Sequence, residues 1–362
     1  MSGPVLHVTG ARPNFPKAAP VLRALDSLGV PQRLLHTGQH YGEQMFEVFF
    51  RQLGLPAPDI NLGVGSGTHA RQTAAIMTGL EDVLAEVRPA LVVVYGDVNS
   101  TVAAALVAAK LGVPVAHVEA GLRSFDPSMP EEVNRMVTDR LSDLLFATSP
   151  DAVAHLGNEG VPAGRIHLVG NPMIDTLLAN LDRFDETAAR AAHHLGGRYV
   201  VATLHRPANV DGAGDASALV KALHGVAAQV PVMLPLHPRG RDSLQRAGLF
   251  DHPGVRVIDP LGYVEFLGLV RGAAAVVTDS GGVQEETTML GVPCLTIRPN
   301  TERPVTITHG TNRLVTRERL ADEVERCLAA GRPQTWPTPP LWDGGAGARI
   351  AGVIRQFLDG RS

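Results

Sequence analysis

Carboxylates, cations and glycines in this chain fall directly after short apolar runs, the place where open parallel sheets present ligand-binding groups. Asp97 follows Val92-Val93-Val94-Tyr95-Gly96, and Glu119 follows Val115-Ala116-His117-Val118. A carboxylate that ends a buried strand must be solvated or paired, and burial favours its protonated form, which suits acid–base work. Asp97 also has a simpler reading, as a cap for the next helix. Glu131 stands in Ser128-Met129-Pro130-Glu131, which reads as a capping box with proline in the first turn. Arg135 lies one turn further on, at the spacing of an i, i+4 ion pair with Glu131.

A second set suits phosphate. The run Ala275–Thr278 leads into Asp279-Ser280-Gly281-Gly282 and a helix from about Val283, so free backbone N–H groups at Ser280, Gly281 and Gly282 would face an anion. Glu285 and Glu286 fall in the first turns of that helix. They either compensate the helix dipole or accept hydrogen bonds from a ribose diol. Arg12 and Lys17 follow the first strand, where they either face a diphosphate or remain solvated surface charges. His205 and His237 each end a later apolar run. No cluster at metal-ligand spacing accompanies them, so no metal is expected.

The elements that must position these groups alternate. Apolar runs at Val5–Thr9, Leu34–Thr37, Leu91–Tyr95, Val115–Glu119, Leu144–Thr148 and Ile166–Val169 are separated by helix-period segments at Lys17–Leu28, Gln72–Val87, Thr101–Leu111 and Glu131–Ser142. Periodicity weakens between Ala179 and Arg198. It then restarts with strands expected at Tyr199–Leu204, Val232–Leu236, Val255–Ile258, Ala275–Thr278 and Cys294–Ile297, and a last helix over Gly345–Leu358. Runs apolar throughout suit parallel strands covered on both faces. At 362 residues the chain is long enough for two such cores.

Composition excludes other classes. A net charge of −4 with scattered basic residues gives no footprint for nucleic acid. Runs such as Ala273–Val277 are far short of the roughly 18–20 apolar residues that span a bilayer. Two cysteines, Cys294 and Cys327, and no signal-like segment before the first strand point to a reducing cytoplasm. Thr9-Gly10-Ala11-Arg12-Pro13 lacks the dinucleotide fingerprint, so no NAD is expected.

Several segments together carry a family resemblance: Gly10-Ala11-Arg12-Pro13, Thr37-Gly38-Gln39-His40, Tyr95-Gly96-Asp97, His117-Val118-Glu119-Ala120-Gly121-Leu122-Arg123, Pro130-Glu131-Glu132-Val133-Asn134-Arg135, Val169-Gly170-Asn171-Pro172, Leu204-His205-Arg206, Asp279-Ser280-Gly281-Gly282-Val283-Gln284-Glu285-Glu286 and Thr301-Glu302-Arg303-Pro304. In order and spacing they resemble the non-hydrolysing UDP-N-acetylglucosamine 2-epimerases along the whole chain.

The resemblance implies an α/β fold of two Rossmann-like lobes with parallel sheets facing across a cleft, as in GT-B-like glycosyltransferases. The expected division is an N-terminal lobe over 1–178 with the acidic residues, a UDP-binding lobe over 179–342, and a final helix over 343–362 that packs back on the first lobe. It further implies catalytic positions at Asp97, Glu119, Glu131 and His205 with Arg135 beside them, and UDP contacts from Arg12, His237, Ser280, Glu286 and Arg303. Gln39, His40, Arg71 and Gln72 resemble part of a site for a second UDP-N-acetylglucosamine that acts as activator, and each also reads as a polar turn or helix-surface residue. Homodimers are implied.

The chemistry implied is inversion at C2 of UDP-N-acetylglucosamine to UDP-N-acetylmannosamine. The C2 proton is not next to a carbonyl, so UDP must leave C1 as that proton is removed, giving 2-acetamidoglucal. Protonation of the opposite face and return of UDP complete the reaction, with no cofactor or metal required. Asn14, Pro207-Ala208 and Val305 depart from the family pattern and bear on substrate positioning. Rival readings are a hydrolysing epimerase releasing UDP and N-acetylmannosamine, a glycosyltransferase of the same fold, and a nucleotide-sugar sensor. The glycosyltransferase leaves the Glu119 and Glu131 segments without a purpose, and a sensor would not need the acidic set.

Overall fold

The computed structural model describes residues 3–38, 50–204, 213–236 and 238–361. They form two compact units, Met1–Ala179 with Pro340–Ser362 and Asn180–Pro339. The first is built on seven parallel strands: β1 Val5–Thr9, β2 Gln32–His36, β3 Ile60–Asn61, β4 Leu91–Tyr95, β5 Val115–Ala120, β6 Leu144–Ala147 and β7 Ile166–Leu168. Their order is β3-β2-β1-β4-β5-β6-β7, the doubly wound arrangement whose switch point lies between β1 and β4. Every side chain of β1, β4 and β5 is buried, which is why these runs show no polar alternation.

The second unit repeats the plan with six parallel strands: β8 Val200–Thr203, β9 Val232–Pro235, β10 Val255–Ile258, β11 Ala275–Thr278, β12 Cys294–Thr296 and β13 Asn312–Leu314. Their order, β10-β9-β8-β11-β12-β13, puts the switch point between β8 and β11. The two parallel sheets establish the Rossmann-like α/β class. Strands β3 and β13 were not expected; two residues, and the polar Asn312-Arg313-Leu314, carry no strand signal. Among the described residues no helix is long and apolar enough to cross a membrane.

In the first unit the helix Phe15–Ser27 packs against Pro172–Ala179 and the C-terminal helix Ala346–Asp359. Pro20 inside the first of these has no N–H to give the Pro16 carbonyl, and the Thr176 hydroxyl donates to it instead at 2.6 Å. Asp175 receives the N-terminus of the C-terminal helix, accepting from Ala346 N at 3.2 Å and Gly347 N at 2.7 Å. Three helices are thus joined by side chains from one short segment.

Candidate active site and family

The loops after β1, β4 and β5 meet at the first unit's switch point. Asn14 organises the first of them: its Oδ1 accepts from the backbone of Gly10 and Ala11, and its Nδ2 donates to the Tyr95 carbonyl at 2.8 Å. Gly96 turns the chain after β4 with φ +63, and a Cβ there would stand 2.9 Å from Lys17 Nζ and 3.1 Å from Glu119 Oε2. Only glycine lets the Asp97 loop lie against those two groups.

Glu119 is buried and ion-paired with Lys17. Its backbone occupies the left-handed region at φ +76, and the pairing of β5 with β6 shifts register between Val118 and Ala120. A β-bulge with a non-glycine residue in that region is costly and is kept where the surrounding structure imposes it. Lys17 is therefore not a solvated surface charge. It is buried as the counter-charge of Glu119. Arg12 sits half-buried in a short turn after β1, and burial holds its pKa below the ordinary value.

The cap position expected for Asp97 falls one residue later. Val98 takes that position for the helix Asn99–Lys110, while the Asp97 carboxylate meets Arg135 Nη1 at 2.5 Å and its carbonyl accepts from Asn134 Nδ2 at 2.8 Å. The helix Pro130–Leu141 starts from Met129 without a side-chain cap, and Ser128 bonds Asp126, so the expected capping box does not form. Arg135 pairs with Glu132 at i, i+3, in place of Glu131. Glu132 also accepts from the Ser124 and Phe125 backbone at 3.0 and 2.9 Å. Burial pushes its carboxyl up, but the Ser124 N–H and Arg135 outweigh this and hold it below its ordinary pKa. Glu131 is half-buried in the first turn beside it.

In the second unit the helix Gly281–Leu290 begins two residues before its expected start, and its N-cap residue Ser280 makes no side-chain cap bond. The first N–H groups of this helix thus open onto the C-terminal end of β11. A Cβ on Gly281 would stand 2.2 Å from Arg303 Nη1, so glycine is needed for Arg303 to lie over the helix start. Arg303 is buried, with Nε 3.0 Å from Glu285 and a further pairing to Glu302, which Arg298 also holds at 2.5 Å. These pairings brace the loop that carries Arg303. Glu286 is buried beside them, and its pKa is raised to about 8, chiefly by burial, then by Glu285, with Tyr263 partly opposing. A neutral carboxyl at pH 7 both donates and accepts hydrogen bonds.

A family model described as UDP-N-acetylglucosamine 2-epimerase matches residues 23–355. The chain belongs to that family. It is 41% identical over 359 residues to a UDP-N-acetylglucosamine 2-epimerase of Methanocaldococcus jannaschii, covering 96% of this chain and 97% of the relative. The solved structure of the M. jannaschii UDP-GlcNAc 2-epimerase in complex with UDP-GlcNAc and UDP superposes with a TM-score of 0.91 at 40% identity, covering 97% of this chain and 99% of that one. A UDP-2,3-diacetamido-2,3-dideoxy-D-glucuronate 2-epimerase of Pseudomonas aeruginosa is 44% identical over 315 residues, 86% of this chain and 88% of the relative.

In this epimerase the four residues of the expected activator site do not share one setting. Gln39 and His40 lie outside the described residues, as do His205 and His237. Arg71 is exposed, whereas Gln72 is buried in a chain of amides: it donates to the Gly65 carbonyl at 2.7 Å and accepts from Asn99 at 2.8 Å. Asn134 joins that chain to the Asp97 backbone. Of the departures from the family pattern, Asn14 holds the β1 loop and Val305 is buried, while Pro207-Ala208 lies outside the described residues. Asn134 and Glu132 gained their significance only from the structure, as did the pairing of Lys17 with Glu119. The adjacency of Glu131 and Glu132 was the one available signal, since a helix brings only one of two successive residues onto a given face.

Proposed function

We propose that the enzyme interconverts UDP-N-acetylglucosamine and UDP-N-acetylmannosamine without net hydrolysis, by elimination of UDP to 2-acetamidoglucal and re-addition. The observation that carries this reading is the switch-point cluster of the first unit. There, the bulged, left-handed Glu119 and the Arg135-held Asp97 come from adjacent strand ends, with Glu131 on the neighbouring helix. Elimination and re-addition need an acid and a base in fixed positions, and these three carboxylates supply the candidates. Arg135 orients Asp97 and Lys17 compensates Glu119. His205 is assigned to support of the leaving group.

The second unit contributes the anion site. The N-terminus at Ser280-Gly281-Gly282 suits the diphosphate that departs and returns, and Glu286 suits the ribose diol. Arg12 and His237 are assigned to the diphosphate, and Gln39, His40, Arg71 and Gln72 to an activator molecule of substrate. A cytoplasmic homodimer is the form in which this activity is expected.

Elimination breaks the C1–O bond, so an ¹⁸O label placed in the C1–O–P bridge becomes equivalent to the other β-phosphate oxygens while UDP is free in the site. Scrambling of the label, read by ³¹P NMR, is the expected result. A label that stays in the bridge while the epimer accumulates contradicts elimination.

The 44% identity to the diacetamido-glucuronate epimerase favours a second reading of the substrate, a UDP-2-acetamido sugar with a further acetamido group at C3 and a carboxylate at C6. Comparing kcat/KM for the two sugar nucleotides decides between them.

A further inference from the structure

A buried charged cluster lies beneath the catalytic loops, built from His117 on β5, Asp139 on the helix Pro130–Leu141, and Arg123. Each His117 ring nitrogen faces an oxygen: Nε2 is 2.8 Å from the Gly96 carbonyl and Nδ1 is 2.6 Å from Asp139 Oδ1. The ring is thus held at both nitrogens, by the Gly96 backbone on one side and by Asp139 on the other. The other Asp139 oxygen accepts from Gly121 N at 3.1 Å and meets Arg123 Nη1 at 2.7 Å. Arg123 in turn forks onto Glu159 at 2.7 and 2.8 Å. Burial alone would push the Asp139 carboxyl up, but His117 and Arg123 outweigh it and hold it below its ordinary pKa.

One carboxylate therefore grips the chain two residues before and two residues after Glu119, across the bulge where Glu119 is left-handed. Through His117 the same group reaches the carbonyl that precedes Asp97. We propose that Asp139 and His117 form a positioning pair, which imposes the left-handed backbone on Glu119 and locks it in register with the Asp97 loop. Neither residue handles the substrate's proton. The pair sets where the carboxylates that do so are aimed, and the inference rests on the proton-handling role proposed for Glu119.

Asp139→Asn keeps the side-chain shape and removes the charge that holds both sides of the bulge. The expected result, normalised to folded protein, is a kcat for UDP-N-acetylglucosamine lowered about 10- to 100-fold, the scale of a small misplacement of a reacting group, with KM unchanged. Glu159→Gln, at the outer end of the cluster, leaves kcat at the parent value. Should Asp139→Asn not fold, two His117 variants carry the test. In His117→Asn the amide nitrogen replaces Nδ1 and keeps Asp139, while in His117→Gln it replaces Nε2 and keeps only Gly96, so the first is expected to retain the higher kcat. A folded Asp139→Asn with parent kcat, a loss confined to KM, or equal kcat in the two His117 variants overturns the proposal. Glu119→Gln separates this from the underlying reading: parent turnover in Glu119→Gln sinks the proton-handling role itself. An inactive Glu119→Gln beside a fully active Asp139→Asn sinks the positioning pair alone.

Discussion

Glu119 shows how much one residue's position in the sequence can convey. A carboxylate closing an apolar strand reads as buried and chemically active, and it is found buried at a bulge. Its partner Lys17 lies 102 residues away, so only the fold could pair them. Replacing the carboxylates without changing their shape, Glu119→Gln or Asp97→Asn, is expected to lower kcat by roughly 10²- to 10⁴-fold, the usual worth of a positioned acid or base. Steady-state rates on folded protein check this, and unchanged rates would remove these groups from the mechanism. Glu286 offers a test by pH. Its folded pKa of about 8 exceeds its ordinary 4.5, so between those values the folded protein holds a proton that the unfolded chain has lost. This group's contribution therefore makes stability fall as pH rises through that window. Glu286→Gln is expected to flatten the decline in Tm between about pH 5 and 8, and an unaltered slope would contradict the assigned protonation.

At the scale of elements, the central strands were legible because burial on both faces leaves continuous apolar runs. β1, β4, β10 and β11 begin and end where hydrophobicity alone puts them. Helix starts were less legible. The Pro130 helix has the residues of a capping box, yet Asp126 captures Ser128 first, a competition between turn and helix that the local sequence does not resolve. Gly96 tests the turn that carries Asp97. Gly96→Ala must accept φ +63 and a contact 2.9 Å from Lys17 Nζ, so a loss of about 1–2 kcal/mol and a drop in kcat are expected from denaturation and rate measurements. The C-terminal helix gives a second test. Asp175→Ala removes the acceptor of its first N–H groups and is expected to cost about 0.5–2 kcal/mol. Hydrogen exchange over Ala346–Asp359 should rise, and exchange at the parent rate would show that Asp175 does not hold the helix.

For the molecule as a whole, two sheets of the same winding follow from a rhythm of strand and helix that restarts after a stretch of weak periodicity. The doubly wound order explains why the informative residues were strand-end residues: each switch point gathers loops that are far apart in sequence. Family membership then fixes the reaction as epimerisation by an enzyme of this class, and the carboxylate cluster of the first unit supports elimination and re-addition as its route. The reading stands or falls on what happens at C2. Purified protein incubated with UDP-N-acetylglucosamine in heavy water, followed by proton NMR at the anomeric positions, tests it most directly. The account expects UDP-N-acetylmannosamine to appear with deuterium at C2 and with no accumulation of free UDP. Stoichiometric UDP with free N-acetylmannosamine, or an unchanged substrate with no deuterium at C2, would contradict it.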